Sequence, residues 1–417
     1  MKPLPKNLHW ETALLHGANE DAAGAGAAGS TIAQSSAFAY ETAAELEAVF
    51  AGRDAGYIYT RIGNPSVAQF ERRLAALEGG LGAVACASGM AAISAAVLAL
   101  AGAGDEVVAG NSLFGGTYAL FKNTLSRCGI HTIFVEATDV AAYRAALTDR
   151  TKAIFVESIG NPKLDVPDLA ALAQLARENG VALIVDNTTA TPFLVRPKEL
   201  GAALVIHSTS KFLNGHGNAI GGAIVDCGTF DWSGSRYPHL QSFYARARQL
   251  ALLACLRNQI CRDLGGCLAP FNAFLLGLGM ETLSVRMERH CANAAQVADF
   301  LAAHRSVQEV RYPGLAAHPD HAVARRQFGD RHGALLSLRL ADKAACFRFI
   351  DRLRLAQNMA NIGDARTLVI HPASTICRDL APDERRSVGV TEDLVRLSVG
   401  IEYAPDLLND LEQALAT

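Results

Sequence analysis

Between Tyr57 and Asp226 the chain alternates short apolar runs with helix-like stretches, and this alternation restricts the fold more than any other feature. The runs DEVVAG, HTIFVEA, TKAIFVES, VALIVDNT, ALVIHST and AIGGAIVD are short, rich in Val and Ile, and bounded by turn-forming or polar residues, so they read as strands. PDLAALAQLARENG, between two of them, closes on a glycine as helices commonly do. Such alternation predicts a mainly parallel sheet covered by helices on both faces. Past FDWSG the pattern changes: CANAAQVADFLAAH and DKAACFRFIDRL read as helices, GALLSLRL and DLVRLSVGIEY as strands. A smaller α+β unit is expected there, reached through a long connecting helix near residues 240–280. The expected division is an N-terminal arm over 1–56, a large unit over 57–265 and a C-terminal unit over 266–417.

Length supports more than one core, since the chain has 417 residues, half of them hydrophobic and 19% charged. A net charge of −3 gives no basic excess for nucleic acid or an anionic membrane. No charge occurs between Glu78 and Asp105, a length that invites comparison with a membrane span. The run is mostly Ala and Gly, is broken by Ser88-Gly89, and has no Lys or Arg close to either end, so it reads as a buried strand or turn followed by a helix. Nine cysteines, an odd number without any CxxC, argue for free thiols in a reducing compartment rather than disulfides or a metal site. The opening MKPLPKNLHWETALLHGANE lacks the apolar core of a secretory signal, and a cytoplasmic protein is expected.

The apolar run ALVIH ends abruptly in Ser208, Thr209, Ser210 and Lys211, followed by a glycine-studded loop. A phosphate-binding P-loop would need Gly before the lysine and Ser or Thr after it; here Ser210 precedes and Phe212 follows. GHGNAIG offers only GxGxxxG, and it follows a lysine loop rather than a strand, so it is a weak dinucleotide signature. A lysine that forms a Schiff base with a phosphorylated cofactor fits better, and it makes further demands. A buried carboxylate should end a neighbouring strand, where Asp186 stands. A helix N-terminus with small residues should receive the phosphate, where Ser88-Gly89-Met90 stand. An arginine fork should hold a substrate carboxylate, and Arg396 lies inside an apolar strand. Each has a bland alternative: a turn cap for Asp186, an ordinary strand–helix turn for Ser88-Gly89, an internal ion pair for Arg396. Their joint occurrence at the ends of consecutive strands of one sheet favours the site, because ligands bind at that edge in such folds.

From about Phe38 onward the chain resembles the Cys/Met-metabolism family of pyridoxal-phosphate enzymes. The motifs that carry the resemblance are GYIYTRIGNPSV, ACASGMAAI, FVESIGNP, VALIVDNT, HSTSKFLNGHG, METLSVRMERH, HPAST and RLSVGIE; the first thirty residues match poorly. The resemblance implies an α/β chain of the PLP-dependent transferase fold type I, aspartate aminotransferase-like, assembled as a tetramer built from dimers. It implies that Lys211 carries pyridoxal 5′-phosphate and moves protons, that Asp186 keeps the ring nitrogen protonated, and that Ser88, Gly89, Met90, Thr188, Ser208 and Ser210 help bind the cofactor. Asn161 would lie near its 3′-oxygen, Tyr59 and Arg61 would reach the phosphate of a neighbouring subunit, and Arg396, Asn361 and Tyr57 would contact substrate.

Family membership leaves the reaction open among γ-synthases, sulfhydrylases and lyases, with a non-catalytic regulator of the same fold as the alternative from another class. GHGNAIGGAIVDCGTFDW and NIGDARTLVIHPASTI look most like O-acetylhomoserine sulfhydrylases, which use sulfide or a small thiol in methionine biosynthesis. O-succinylhomoserine sulfhydrylase, cystathionine γ-synthase and methionine γ-lyase are the alternatives. One departure stands out: where the family usually stacks a tyrosine on the cofactor, SLFGGTYAL places Phe114. Phenylalanine stacks but has no proton to give. A thiolate leaves better when protonated, whereas a carboxylate needs little such help. Phe114 therefore points to an acyl ester, unless Tyr57 or Tyr118 supplies the missing hydroxyl.

Overall fold

The computed structural model describes residues 9–16 and 29–416. Seven strands, β1 (Gly82–Cys86), β2 (Glu106–Gly110), β3 (His131–Val135), β4 (Thr151–Glu157), β5 (Ala182–Asp186), β6 (Leu204–His207) and β7 (Gly222–Asp226), form one sheet in the order β1-β7-β6-β5-β4-β2-β3. The pairs from β6 across to β3 are parallel, while β7 runs antiparallel to both β6 and β1. The expected mainly parallel sheet is therefore present, with one reversed strand that periodicity alone does not reveal.

Alternation along the strands divides the interior into two layers. Val108, Ile154, Val156, Leu183, Val185 and Val205 face one layer, packed with the helices Pro65–Glu78, Leu169–Glu178, Pro270–Glu281 and Leu283–Ala303. Val107, Ala109, Phe155, Ile184, Leu204 and Ile206 face the other, against the helix Gly89–Leu98 and residues near 252. Burial on both faces explains why these strands read as unbroken apolar runs. The uncharged stretch after Glu78 is β1 followed by the helix Gly89–Leu98, and among the described residues no helix is long and apolar enough to cross a membrane.

A second sheet holds β8 (Glu309–Arg311), β9 (Leu335–Arg339), β10 (Gln357–Asn358), β11 (Leu368–Ile370) and β12 (Leu394–Ser398), in the order β10-β11-β12-β9-β8. All pairs are antiparallel except β10 with β11. The connecting helix expected over 240–280 is instead a string of short segments. Arg248 at φ 50° and Gly265 at φ 74° interrupt the helical path, and Pro270 opens a new helix. The long helix is Leu283–Ala303, one stretch further on.

Candidate active site

The carboxyl ends of β4, β5 and β6 meet at one edge of the large sheet, where ligands bind in open parallel sheets. A cavity of about 410 Å³ opens there. Ser88, Gly89, Met90, Phe114, Asn161, Asp186, Thr188, Ser208, Ser210, Lys211, Asn361 and Arg396 all line it, as do Glu157, Thr189, Ile220, Ala360 and Ile376.

Ser88 caps the helix Gly89–Leu98, its hydroxyl oxygen accepting from the Ala91 amide at 3.1 Å. This leaves the hydroxyl proton and the first helical amides for an anion. Only a residue without a side chain fits at Gly89, because a Cβ there would stand 2.6 Å from the Ser208 Cβ. Gly222 on β7 is equally confined, with a Cβ position 2.1 Å from the Ser88 carbonyl oxygen. The Ser208 amide donates to Thr188 Oγ1 at 2.7 Å. Ser210 lines the same end, where its hydroxyl donates to the Gly221 carbonyl at 3.1 Å and accepts from the Gly221 amide at 3.0 Å. It closes the lysine loop, and it can donate to a phosphate only by releasing Gly221.

Asp186 ends β5, and its Oδ1 accepts from the Thr188 amide at 3.0 Å. Among the described residues no cation forms an ion pair with it, and burial raises its carboxyl above the usual range. Lys211 is half-buried, and its Nζ donates to Asn361 Oδ1 at 2.5 Å. Burial, and secondarily the charge of Arg396, lowers its amine to about 8. Arg396 sits on β12, opposite Ser337 of β9 and Ile370 of β11. Its Nη1 donates to Asn161 Oδ1 at 2.9 Å and its Nη2 to the Asn361 carbonyl at 3.0 Å, while its buried Nε has no partner among the described residues. Burial lowers the guanidinium to about 10.

Phe114 turns its ring to the cavity and is 37% exposed. Tyr118 does not replace the missing hydroxyl. Its ring stacks on Phe134 at 4.5 Å and its hydroxyl donates to Glu384 Oε1 at 3.2 Å, away from the cavity lining. Tyr57, Tyr59 and Arg61 are not among the lining residues of their own chain. Tyr57 packs on Phe38 at 5.7 Å, and Arg61 lies over the Tyr59 ring and donates to the Arg262 carbonyl at 2.5 Å. Among the described residues no cluster of His, Cys, Asp or Glu has the arrangement of a metal site, and all nine cysteines are free. Glu157 was not singled out in the sequence, although it ends an apolar strand run just as Asp186 does.

Residues 11–416 match the family described as Cys/Met metabolism PLP-dependent enzyme. The chain belongs to that family. It is 49% identical over 380 residues to O-acetyl-L-homoserine sulfhydrylase 1 of Thermus thermophilus, covering 88% of this chain and 90% of the relative. It is 40% identical to O-acetyl-L-homoserine sulfhydrylase of Leptospira meyeri, over 99% of this chain and 98% of the relative. A solved structure from Campylobacter jejuni, a candidate O-acetylhomoserine (thiol)-lyase carrying a pyridoxyl-lysine monophosphate, superposes with a TM-score of 0.94 at 35% identity, covering 98% of this chain and all of that one. Membership makes the chain a PLP-dependent enzyme of fold type I.

The site fits that cofactor. The space kept clear by Gly89 at a helix N-terminus suits a phosphate, unpaired Asp186 suits a ring cation, and the low-pKa amine of Lys211 suits bonding to an aldehyde. A testable consequence concerns pH. Burial and Arg396 both disfavour the ammonium, so the reactive neutral amine forms around pH 8 instead of near the 10.5 of a free lysine. The rate at which the apoprotein takes up pyridoxal phosphate should rise with pH and level off just above 8. A rate still climbing past pH 10 would contradict the lowered amine.

Proposed function

We propose that the chain catalyses γ-replacement on an O-acyl-L-homoserine, foremost O-acetyl-L-homoserine, with sulfide or a small thiol, giving homocysteine or methionine. The observation that carries this reading is the composition of the cavity wall. Among the described residues its only lining cations are Lys211 and Arg396, and Phe114, Ile220, Ala360 and Ile376 offer apolar surface. A neutral acetyl group suits such a wall. The second carboxylate of a succinyl ester, or the second amino-acid head of cystathionine, would meet no further cation among the described lining residues of the same subunit. The sulfhydrylase names of the relatives support the same choice.

Bound pyridoxal phosphate supplies the electron sink that loosens the protons on Cα and Cβ of an attached amino acid. Ser88 and the amides of Gly89 and Met90 would hold its phosphate, Thr188 and Ser208 would line the same end, and Asp186 would keep its ring nitrogen protonated. Arg396 would grip the substrate carboxylate with a fork already oriented by Asn161 and Asn361. The Lys211 amine, neutral near pH 8, is suited to lift a proton from Cα and then from Cβ. The acyl group then leaves Cγ as a carboxylate, taking the bonding electrons, sulfide forms the new C–S bond at Cγ, and Lys211 returns the protons to Cβ and Cα. Phe114 would cover the ring without offering a proton, which departing acetate does not require.

Tyr57, Tyr59 and Arg61 complete the proposal as contributions to a neighbouring subunit's site in a dimer of dimers. Their position outside their own cavity supports this, as does the 44% exposure of Tyr59. The division at residues 56 and 265 and a cytoplasmic setting belong to the same reading.

Product analysis tests it. The holoenzyme is offered O-acetylhomoserine, O-succinylhomoserine, methionine and cystathionine separately, each with and without sulfide. Sulfide-dependent homocysteine from the acetyl ester is expected; 2-oxobutyrate from methionine without added thiol would make the protein a lyase. Phe114→Tyr gives a sharper check. It should raise thioether cleavage relative to the acetyl ester by roughly a hundredfold or more, the scale of a positioned proton donor. An unchanged ratio would remove Phe114 from substrate choice.

A further inference from the structure

Glu157 ends β4 directly opposite Asp186, is only 7% exposed, and has no task in the chemistry above. Its two oxygens are divided between two separate loops. Oε1 accepts from the Phe114 amide at 2.6 Å, and Oε2 accepts from the Asn161 amide at 3.2 Å. Phe114 forms the aromatic wall, and Asn161 Oδ1 accepts from Arg396 Nη1 at 2.9 Å. One side chain thus joins the wall over the cofactor to the fork expected to grip the substrate.

The residue type is informative. The two backbone N–H groups address different oxygens of the side chain, an arrangement that a carboxylate matches; glutamine would set an NH2 donor against one of them. Setting an acid in a buried position against a second acid is unfavourable in itself. Local bonding at a strand end would not require it.

We propose that Glu157 is a positioning residue that fixes Phe114 and, through Asn161, the Arg396 fork, so that the grip on a substrate carboxylate depends on it. Burial, reinforced by the Asp186 charge, raises its carboxyl well above the usual range, against the pull of the two amides. A cation set against Asp186 relieves that repulsion and favours the ionised form, which accepts from both amides. Filling the cofactor site would in this way tighten the substrate site.

The inference rests on Arg396 being the carboxylate clamp, and the test separates the two. Holoenzyme is titrated with L-norvaline, an amino acid with no leaving group, and binding is read from the bound cofactor's absorbance. Glu157→Gln should weaken norvaline roughly tenfold, as loss of one charge-assisted hydrogen bond does, with cofactor content and thermal midpoint kept. Combining it with Asn161→Ala should weaken binding no further than Asn161→Ala alone, since both act along one route. Glu157→Asp, which withdraws the oxygens by one methylene, should shift affinity in the same direction and serves if the glutamine variant does not load cofactor. Wild-type affinity in the Glu157 variants, or additive losses in the double variant, overturns the inference. Unchanged affinity in Arg396→Ala, run alongside, instead overturns the functional reading beneath it.

Discussion

Lys211→Ala is expected to lower turnover by roughly a thousandfold or more, because it removes both the attachment point for the cofactor and the group that carries protons. Among the described residues the cavity offers no second amine: its only other cation, Arg396, stays charged at neutral pH with a guanidinium near 10. Attachment is measured separately from rate. Borohydride reduction of the wild-type holoenzyme followed by peptide mapping should place a pyridoxyl group on the peptide containing Lys211. The variant should bind cofactor without that adduct and lose the corresponding visible absorbance. Full turnover in the variant, or an adduct on another lysine, would refute the assignment.

The second large effect is expected at Arg396. Truncation to alanine removes a fork buried on β12 and already oriented by Asn161 and Asn361, so the substrate carboxylate would lose a charge-assisted, two-pronged contact. A loss of about 3 kcal/mol, roughly a hundredfold in kcat/KM, is expected, carried mainly by KM. Arg396→Lys should recover only part of it, since an ammonium cannot reproduce the planar fork. An unchanged KM for the acyl ester would remove Arg396 from the site. The same variant should raise the Lys211 amine slightly, because Arg396 is one of the two causes that lower it.

The residues that proved legible were those where a polar group interrupts an apolar strand. Asp186 and Ser208 stand where β5 and β6 give way to loops, and Arg396 breaks the apolar pattern of β12. Glu157 breaks the end of β4 in the same manner, but one acid after an apolar run looks like a solvated strand end until its partners are known. Direction was equally hidden. The alternation in AIGGAIVD is the same whether β7 runs with or against its neighbours, and only the short path from Lys211 back across the sheet decides it. Composition places the Ser210 hydroxyl near a phosphate but does not indicate that it also bonds the carbonyl and amide of Gly221. The string of helices over 240–280 was read as continuous because its breaks lie in backbone angles, such as that of Arg248, which an arginine does not advertise.

Strand β1 has no neighbour close to it in sequence; it pairs only with β7, and Gly222 lies against the Ser88 carbonyl across that seam. A chain leaving the ribosome has therefore synthesised all the intervening strands before this seam can close. Contacts of such long sequence separation form slowly, since loop-closure entropy is met before they give any return. The phosphate cup therefore cannot be complete until β7 has been synthesised and paired with β1. Pyridoxal phosphate then acts on the end of the folding reaction, drawing completed chains forward by mass action instead of guiding early collapse.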